Sequence, residues 1–383
     1  MMNKINSLRS IFSCFLLFLL STVMGQIGNN IVINPANAPR YQPGAPVFKN
    51  YKIDVTKVYR FQNPVTGKSI ETEDGLINKG SRIQQYRGYT SNGVVDGHNQ
   101  EWIFLPSGTV TARGNLQLPV VRILNYGFLK YLVAFNFGHG AGEYKPQLDF
   151  APDNEGIDGD DGLWEVIPDA IWQTIRLRSL STGLFLQFPN NNDDGTEMEL
   201  ATGSNDPRQR ILYTLFIGLI PKPSITAPLA PCVLVPANSQ SMNLSIANCS
   251  PEPETLLQLG TKDNHSICQQ FTFNYVAKKD NAAHFTYSLV QLAPVLSTNL
   301  SVKLQNNTLL NGGNISVGGT IADSLTFWIM IDAVREPGKY MFFNMMSGKC
   351  MEVWNSGTSA GASIGQNIFK NGENQKWLIQ KAN

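Results

Sequence analysis

Charge is what this sequence has least of. Only 15% of its 383 residues are Asp, Glu, Lys or Arg, and the formal net charge is +1. So balanced a chain lacks the basic stripe that nucleic-acid binding or attachment to an anionic membrane calls for. Its polar surface must come from Asn, Ser, Thr, Gln and Gly. Histidine is scarce as well. His98, His139, His265 and His284 are the full set, and they lie far apart, with no serine or cysteine set as a nucleophile elbow. No enzymatic activity is expected. Long helical periodicity is missing throughout, and the only long apolar run is at the N-terminus. Lys4 and Arg9 precede Ile11 to Met24, a run short of the roughly 20 residues that span a bilayer. Val23 and Gly25 suit the small-residue positions before a cleavage site, so residues 1–25 are expected to be a signal peptide. A secreted, extracellular protein with no transmembrane segment follows.

Cysteine is rare too. Cys14 leaves with the signal segment; Cys232, Cys249, Cys268 and Cys350 remain, all in the second half. In an exported chain an even number suggests disulfides, and four cysteines allow three connectivities. Cys249 with Cys268, and Cys232 with Cys350, is the expected pairing. Asn243, Asn248, Asn264, Asn299, Asn306 and Asn314 each head an Asn-x-Ser/Thr triplet, a glycosylation acceptor where the host modifies such sites. Two acidic loops, "DNEGIDGDDG" (153–162) and "NNNDDG" (190–195), lack the alternation of a calcium loop ending in Glu. They read as solvated turns, and neither a metal nor a cofactor is expected.

What the chain does contain is a repeat. "NQEWIF" (99–104) answers "NQKWLI" (374–379), and "FQNPVTGKSIE" (61–71) matches "FFNMMSGKCME" (342–352) with Phe, Asn, Gly, Lys and Glu at identical offsets. Fifteen residues beyond each glutamate stand Tyr86 and Asn367, preceded by Gln85 and Gln366. Weaker copies fill the interval: "DGLWEV", "RQRILY", "CQQFTF" and "SLTFWI". Apolar anchors then run Trp102, Trp164, Ile211, Phe271, Phe327 and Trp377, about 47 to 62 residues apart, a spacing typical of repeat architectures. Within each unit, β-branched and aromatic runs alternate with Gly, Asn and Pro clusters, which predicts short strands and turns. "TGK" and "SGK" read as hairpin turns whose glycine takes positive φ.

"LIPKPSITAPLAP" (219–231) carries four prolines between the third and fourth anchors. Proline lacks the donor that a sheet ladder requires, so this is a linker. The predicted organisation is a loose leader over 26–50, a first domain over 51–220, a linker over 221–231 and a second domain over 232–383.

Threefold units of this length, ending in Gln-x-Trp, resemble the ricin B-type (R-type) lectins. The resemblance implies an all-β protein of two tandem β-trefoil domains, three repeats each, in which the Trp anchors belong to the core. It also implies shallow sugar pockets, one possible per repeat. In each, an acidic side chain accepts from two hydroxyls, a ring stacks on the pyranose and an Asn near Gln-x-Trp adds a contact. Carried onto this sequence, the sugar-binding candidates are Glu71, Gln85, Tyr86, Asn99 and Gln100 in repeat one. In repeat six they are Glu352, Gln366, Asn374 and Gln375. The family's acid is usually Asp; Glu is one methylene longer. Repeat one is the fullest set, whereas repeat six has Asn367 in place of the ring, with Trp354 or Phe369 as substitutes. Gln187 and Lys303 take the acidic position in other repeats. The implied function is non-catalytic carbohydrate binding, with glycans or glycoproteins as partners. A protein-binding trefoil, such as a protease inhibitor, is the alternative.

Overall fold

The structure is a computed structural model. It describes residues 41–43, 58–73, 80–88, 97–111, 117–135, 144–149, 161–169, 174–215, 231–275, 287–318, 324–333 and 335–382. The expected signal segment, most of the expected leader, residues 221–230 of the expected linker and residues 151–160 lie outside them. So do the side chains of His98, His139 and His284.

The second half shows the architecture most plainly. Repeat four holds β15 (Cys232–Pro236), β16 (Met242–Ile246), β17 (Leu257–Thr261) and β18 (Phe271–Tyr275), numbering from the start of the chain. Repeat five holds β19 (Tyr287–Pro294), β20 (Ser301–Leu304), β21 (Ile315–Gly318) and β22 (Trp328–Asp332). Repeat six holds β23 (Lys339–Asn344), β24 (Cys350–Val353), β25 (Ile364–Asn367) and β26 (Trp377–Lys381). The first and last strands of each repeat form a barrel in the order β15-β18-β19-β22-β23-β26, and β26 closes it on β15. The inner strands make three hairpins, β16–β17, β20–β21 and β24–β25. Six barrel strands capped by three hairpins define a β-trefoil.

The first half repeats the plan. After β1 (Tyr41–Pro43), which pairs with β5, come β2 (Val58–Gln62), β3 (Ser69–Thr72), β4 (Ser81–Tyr86) and β5 (Trp102–Thr111). Repeat two contributes β6 (Gln117–Asn125), β7 (Lys130–Phe135), β8 (Lys145–Asp149) and β9 (Trp164–Asp169). Repeat three contributes β10 (Thr174–Ser179), β11 (Phe185–Gln187), β12 (Thr196–Glu197), β13 (Glu199–Ala201) and β14 (Leu212–Leu215). The ring β2-β5-β6-β9-β10-β14 closes through β14–β2, its β10–β14 seam made by the Ile175–Ile211 bridge. Both glycines of the matched turns take positive φ, 69° at Gly67 and 64° at Gly348, as the hairpin reading requires.

The three Trp anchors are core residues with a second task. The indole N–H groups of Trp102, Trp164 and Trp377 donate to the backbone carbonyls of Ile70, Leu132 and Met351 on the second strand of the same repeat. A buried indole needs such a partner, and this bond ties the barrel to its hairpin cap. In repeat five the residue that does this is Trp328, which is fully buried and donates to Val302 O at 2.9 Å. Phe327, the expected anchor, is only partly buried. Repeat five has Thr326 where repeats one, three, four and six have glutamine, and without that marker the register reads one residue early.

Cys249 and Cys268 form a disulfide with Cα atoms 5.1 Å apart, as expected. The expected Cys232–Cys350 pair does not form. Both thiols are free and buried in different cores, Cys232 donating to Phe271 O and Cys350 to Met351 O and Gln375 O. Burial pushes the Cys232 thiol up to about 12, so it is an inert core residue. Among the glycosylation candidates, Asn248, Asn299, Asn306 and Asn314 are exposed and Asn264 is partly so. Asn243 is different: it is fully buried, and its amide donates to Gln269 Oε1 and Asn264 Oδ1. The nitrogen that would carry a glycan is therefore sealed.

Ile329, Ile331, Met341, Phe343 and Phe369 of the second trefoil share one apolar core with Ile103, Leu124 and Tyr131 of the first. At the rim, Tyr126 donates to Asp332 at 2.7 Å and the Arg335 guanidinium lies 4.4 Å from the Phe128 ring centre. The two trefoils thus meet through a continuous apolar seam.

Candidate functional site

In repeat one, Glu71 sits on β3 opposite Gln84 on β4. Directly opposed residues on an antiparallel pair share a face, and Gln84 Nε2 donates to Glu71 Oε1 at 2.7 Å. Gln100 and Asn99 donate to Oε2 at 2.8 and 3.3 Å. Three amides therefore converge on one carboxylate whose residue is 1% exposed. Sequence reasoning missed Gln84 and took Gln85. The period-two alternation of a strand was the available signal: Gln85 points away, donating to Asn191 O at 3.0 Å and Asp193 O at 2.9 Å in repeat three. Tyr86 is half-buried, and the Arg87 guanidinium lies over its ring at 5.7 Å. Repeat one is thus a well-made polar clamp with its acid enclosed and its ring already engaged.

Repeat six has the same plan with fewer locks. Glu352 on β24 pairs with Gly365 on β25, so no side chain stands where Gln84 stands in repeat one. Its carboxylate accepts from Gln375 at 2.9 Å and from Asn367 at 3.2 Å. Burial raises its pKa, and the amides and Lys370 pull the other way. Asn374 is half-buried and donates to Val353 O. Gln366, like Gln85, faces away: it donates to Thr308 O and Leu310 O and accepts from Ser347 Oγ. Phe369 is fully buried and is unavailable for stacking. Trp354 is 38% exposed. A Cβ built on Gly365 would lie 3.7 Å from its ring, which puts the indole on the face of the hairpin that carries Glu352. The structure therefore brings together Glu352, Asn367 and Gln375, with the Trp354 indole on the same face of the hairpin and its outer edge against Gly312 of repeat five.

The other repeats keep the position and change the chemistry. Gln187 donates to Glu199 and accepts from Gln209; Lys303 pairs with Glu254 at 2.7 Å. Among the described residues no cluster of three or more His, Cys, Asp or Glu side chains could hold a metal, and no helix is long and apolar enough to cross a membrane.

Residues 326–383 match the family model of ricin-type β-trefoil lectin domain-like proteins, bearing out the resemblance over β22 and all of repeat six. No curated protein matches the chain. Among solved structures, a designed threefold-symmetric protein, ThreeFoil, is 20% identical and covers 39% of this chain and 98% of its own, with a TM-score of 0.35. The agglutinin from Abrus precatorius is 15% identical over 84% of this chain and 96% of its own, at 0.28. The C-half of the earthworm R-type lectin is 13% identical over 42% and 98%, at 0.29. The trefoil assignment rests on the strand pairings, not on these overlaps.

Proposed function

We propose that this protein is a secreted, non-catalytic carbohydrate-binding protein that engages glycans chiefly through repeat six. The observation that carries this reading is the Glu352–Trp354 face. A carboxylate steadied by two amides lies on the same side of one hairpin as a half-exposed indole. Carboxylate oxygens accept from vicinal hydroxyls, and a ring covers the C–H face of a pyranose. The family match falls on this repeat. Both acids are buried, but the third amide on Glu71 fills the acceptor capacity that Glu352 keeps, which makes repeat one the weaker site and reverses the ranking expected from sequence. A single shallow site binds weakly, so avidity would come from self-association or from a multivalent glycan surface.

The test is a glycan array of the mature protein beside Trp354→Ala, Glu352→Gln and Tyr86→Ala, each first shown to fold by circular dichroism. Loss of selective binding in the two repeat-six variants, with Tyr86→Ala unaffected, is expected. Loss only with Tyr86→Ala would return the site to repeat one. No glycan binding by the folded parent would sink the lectin reading and leave a protein-binding trefoil.

A further inference from the structure

A second feature of the first trefoil lies between repeats rather than within one. The β2–β3 turn of repeat one faces the loop that follows β11 in repeat three across a crevice of about 190 Å³. Asn63 and Gln85 form its floor, Val65 and Thr66 one wall, and Asn190 and Arg208 the other. The far wall is fixed in place: Gln85 Nε2 holds two of its carbonyls, and Asp194 accepts from the Arg87 N–H and the Lys68 ammonium.

The floor is buried yet incompletely satisfied. Asn63 is 3% exposed; its Oδ1 accepts from the Val65 and Thr66 N–H groups, while its Nδ2 meets no acceptor among the described residues. Gln85 is 1% exposed; its Nε2 is engaged, while its Oε1 meets no donor among the described residues. The second trefoil shows how the same positions look when closed. There Asn344 Nδ2 donates to Leu325 O at 2.8 Å, and Gln366 Oε1 accepts from Ser347 Oγ at 2.6 Å. Thr66 stands at the position of Ser347 but is exposed and makes no such bond. Repeat one therefore leaves one donor and one acceptor, both on nearly buried side chains, turned to a crevice. Neither atom is sealed from solvent, so water meets both in the free protein, and an occupant that accepts from one amide and donates to the other can replace that water without losing a hydrogen bond.

A sugar hydroxyl does both. The one charged lining group, Arg208, has Nε and Nη2 committed to Asp206 Oδ2 at 2.9 and 2.6 Å, which disfavours an anion. Val65, 72% exposed at the lip, offers an apolar edge to C–H groups. The volume lies below that of pockets for drug-sized ligands, about 300 Å³ and upward, and suits a single ring. We propose that this crevice is a second carbohydrate subsite, taking one neutral pyranose unit between repeats one and three. The proposal rests on the lectin reading but uses none of the repeat-six residues that carry it.

The test is a titration of the full mature chain, labelled at valine methyls and tryptophan indole nitrogens, with free glucose, galactose, N-acetylglucosamine and N-acetylgalactosamine. Val65 methyl signals report the crevice and the Trp354 indole reports repeat six. At least one sugar should shift Val65 saturably. Thr66→Tyr and Asn190→Tyr, which fill the crevice from opposite exposed walls, should each weaken that response by about tenfold or more and leave the Trp354 response as it was. Two variants guard against misfolding of either. A still Val65 beside a responding Trp354 overturns the subsite and leaves the lectin reading intact. Both silent overturns both. A Val65 response undiminished in both variants also overturns the subsite, because the sugar then lies elsewhere.

Discussion

Replacing Trp328 by alanine tests the repeat register most directly. Trp328 is fully buried, packs in the core of the second trefoil and donates to Val302 O at 2.9 Å. Truncating a buried Trp costs about 3–5 kcal/mol. Part of that is the lost hydrogen bond, worth about 1 kcal/mol net and more where a carbonyl is left buried and unpaired. Phe327, one residue earlier, is partly buried and outside that core, so Phe327→Ala should cost about 1 kcal/mol. Trp328→Phe keeps most of the ring volume but loses the donor and should fall between, at about 2 kcal/mol. The assay is urea unfolding followed by far-ultraviolet circular dichroism, which does not depend on the indole removed. With a urea dependence of about 2 kcal/mol per molar, Trp328→Ala should lower the midpoint of the second trefoil's transition by about 2 M and Phe327→Ala by about 0.5 M. The trefoils share a seam, so the first transition should move in the same direction. Equal losses from the two alanine variants would refute the register, and with it the claim that the indole bond ties barrel to cap.

Two further predictions concern protons. Burial raises the Glu352 pKa above the ordinary glutamate value of 4.5, and the ionised carboxylate is the stronger acceptor of sugar hydroxyls. Glycan affinity should therefore fall on acidification with a midpoint above 4.5, while Glu352→Gln binds weakly and without that dependence; identical pH profiles measured by calorimetry would rule the carboxylate out. Lys349 is 8% exposed, donates to Leu309 O and faces the charge of Arg122, and burial lowers its pKa to about 7. Above that value the folded chain has released a proton that the unfolded chain keeps until its ordinary 10.5, so stability rises with pH from about 7, at up to about 1.4 kcal/mol per pH unit. Lys349→Met should be more stable than the parent at pH 7 and show a flatter rise between about pH 7 and 9 in urea midpoints. It should not be flat, because burial also lowers Lys130 to about 8. An unchanged slope would show that Lys349 keeps its proton in the fold.

How much was legible follows from what each signal encodes. Five of the six anchors, the strand-and-turn texture, the turn glycines Gly67 and Gly348 and the Cys249–Cys268 disulfide could be read, because each is a local pattern or a short span. The anchor of repeat five failed by one residue, where Thr326 replaces the marker glutamine. Gln84 was missed although strand alternation pairs it with Glu71, because the homologous stretch of repeat six has Gly365 there and the shared Gln85/Gln366 drew attention instead. That shared glutamine is a loop tether in both domains, which explains why it matches without touching the acid. Cys232 and Cys350 could not be separated by counting, since only the packing of two cores shows that they never meet. The apolar seam between the trefoils left no trace either: an Ile or Phe facing a neighbouring domain looks like any other core residue.

The glutamine of Gln-x-Trp explains how repeats three and four could drift so far and still fold. Gln100, Gln209, Gln269 and Gln375 are all buried, and each bonds across its own repeat: to Glu71 and Arg87 O, to Gln187 and Thr202 O, to Thr261 O and Asn243, to Glu352 and Ile368 O. Its backbone partners serve the fold whatever the second strand carries. The acidic position can then become Gln187, with the carboxylate moved across the hairpin to Glu199; in repeat five, which has Thr326 in place of the glutamine, it is Lys303, with the carboxylate supplied by Glu254 from the preceding repeat. Where a polar side chain stands at this point of a hairpin it finds a partner, and that requirement comes from burial rather than from ligand binding. A glutamate there is consequently weak evidence for a sugar site when further amides close over it, as at Glu71. It becomes strong evidence when the opposed residue is a glycine and an indole stands open beside it, as at Glu352.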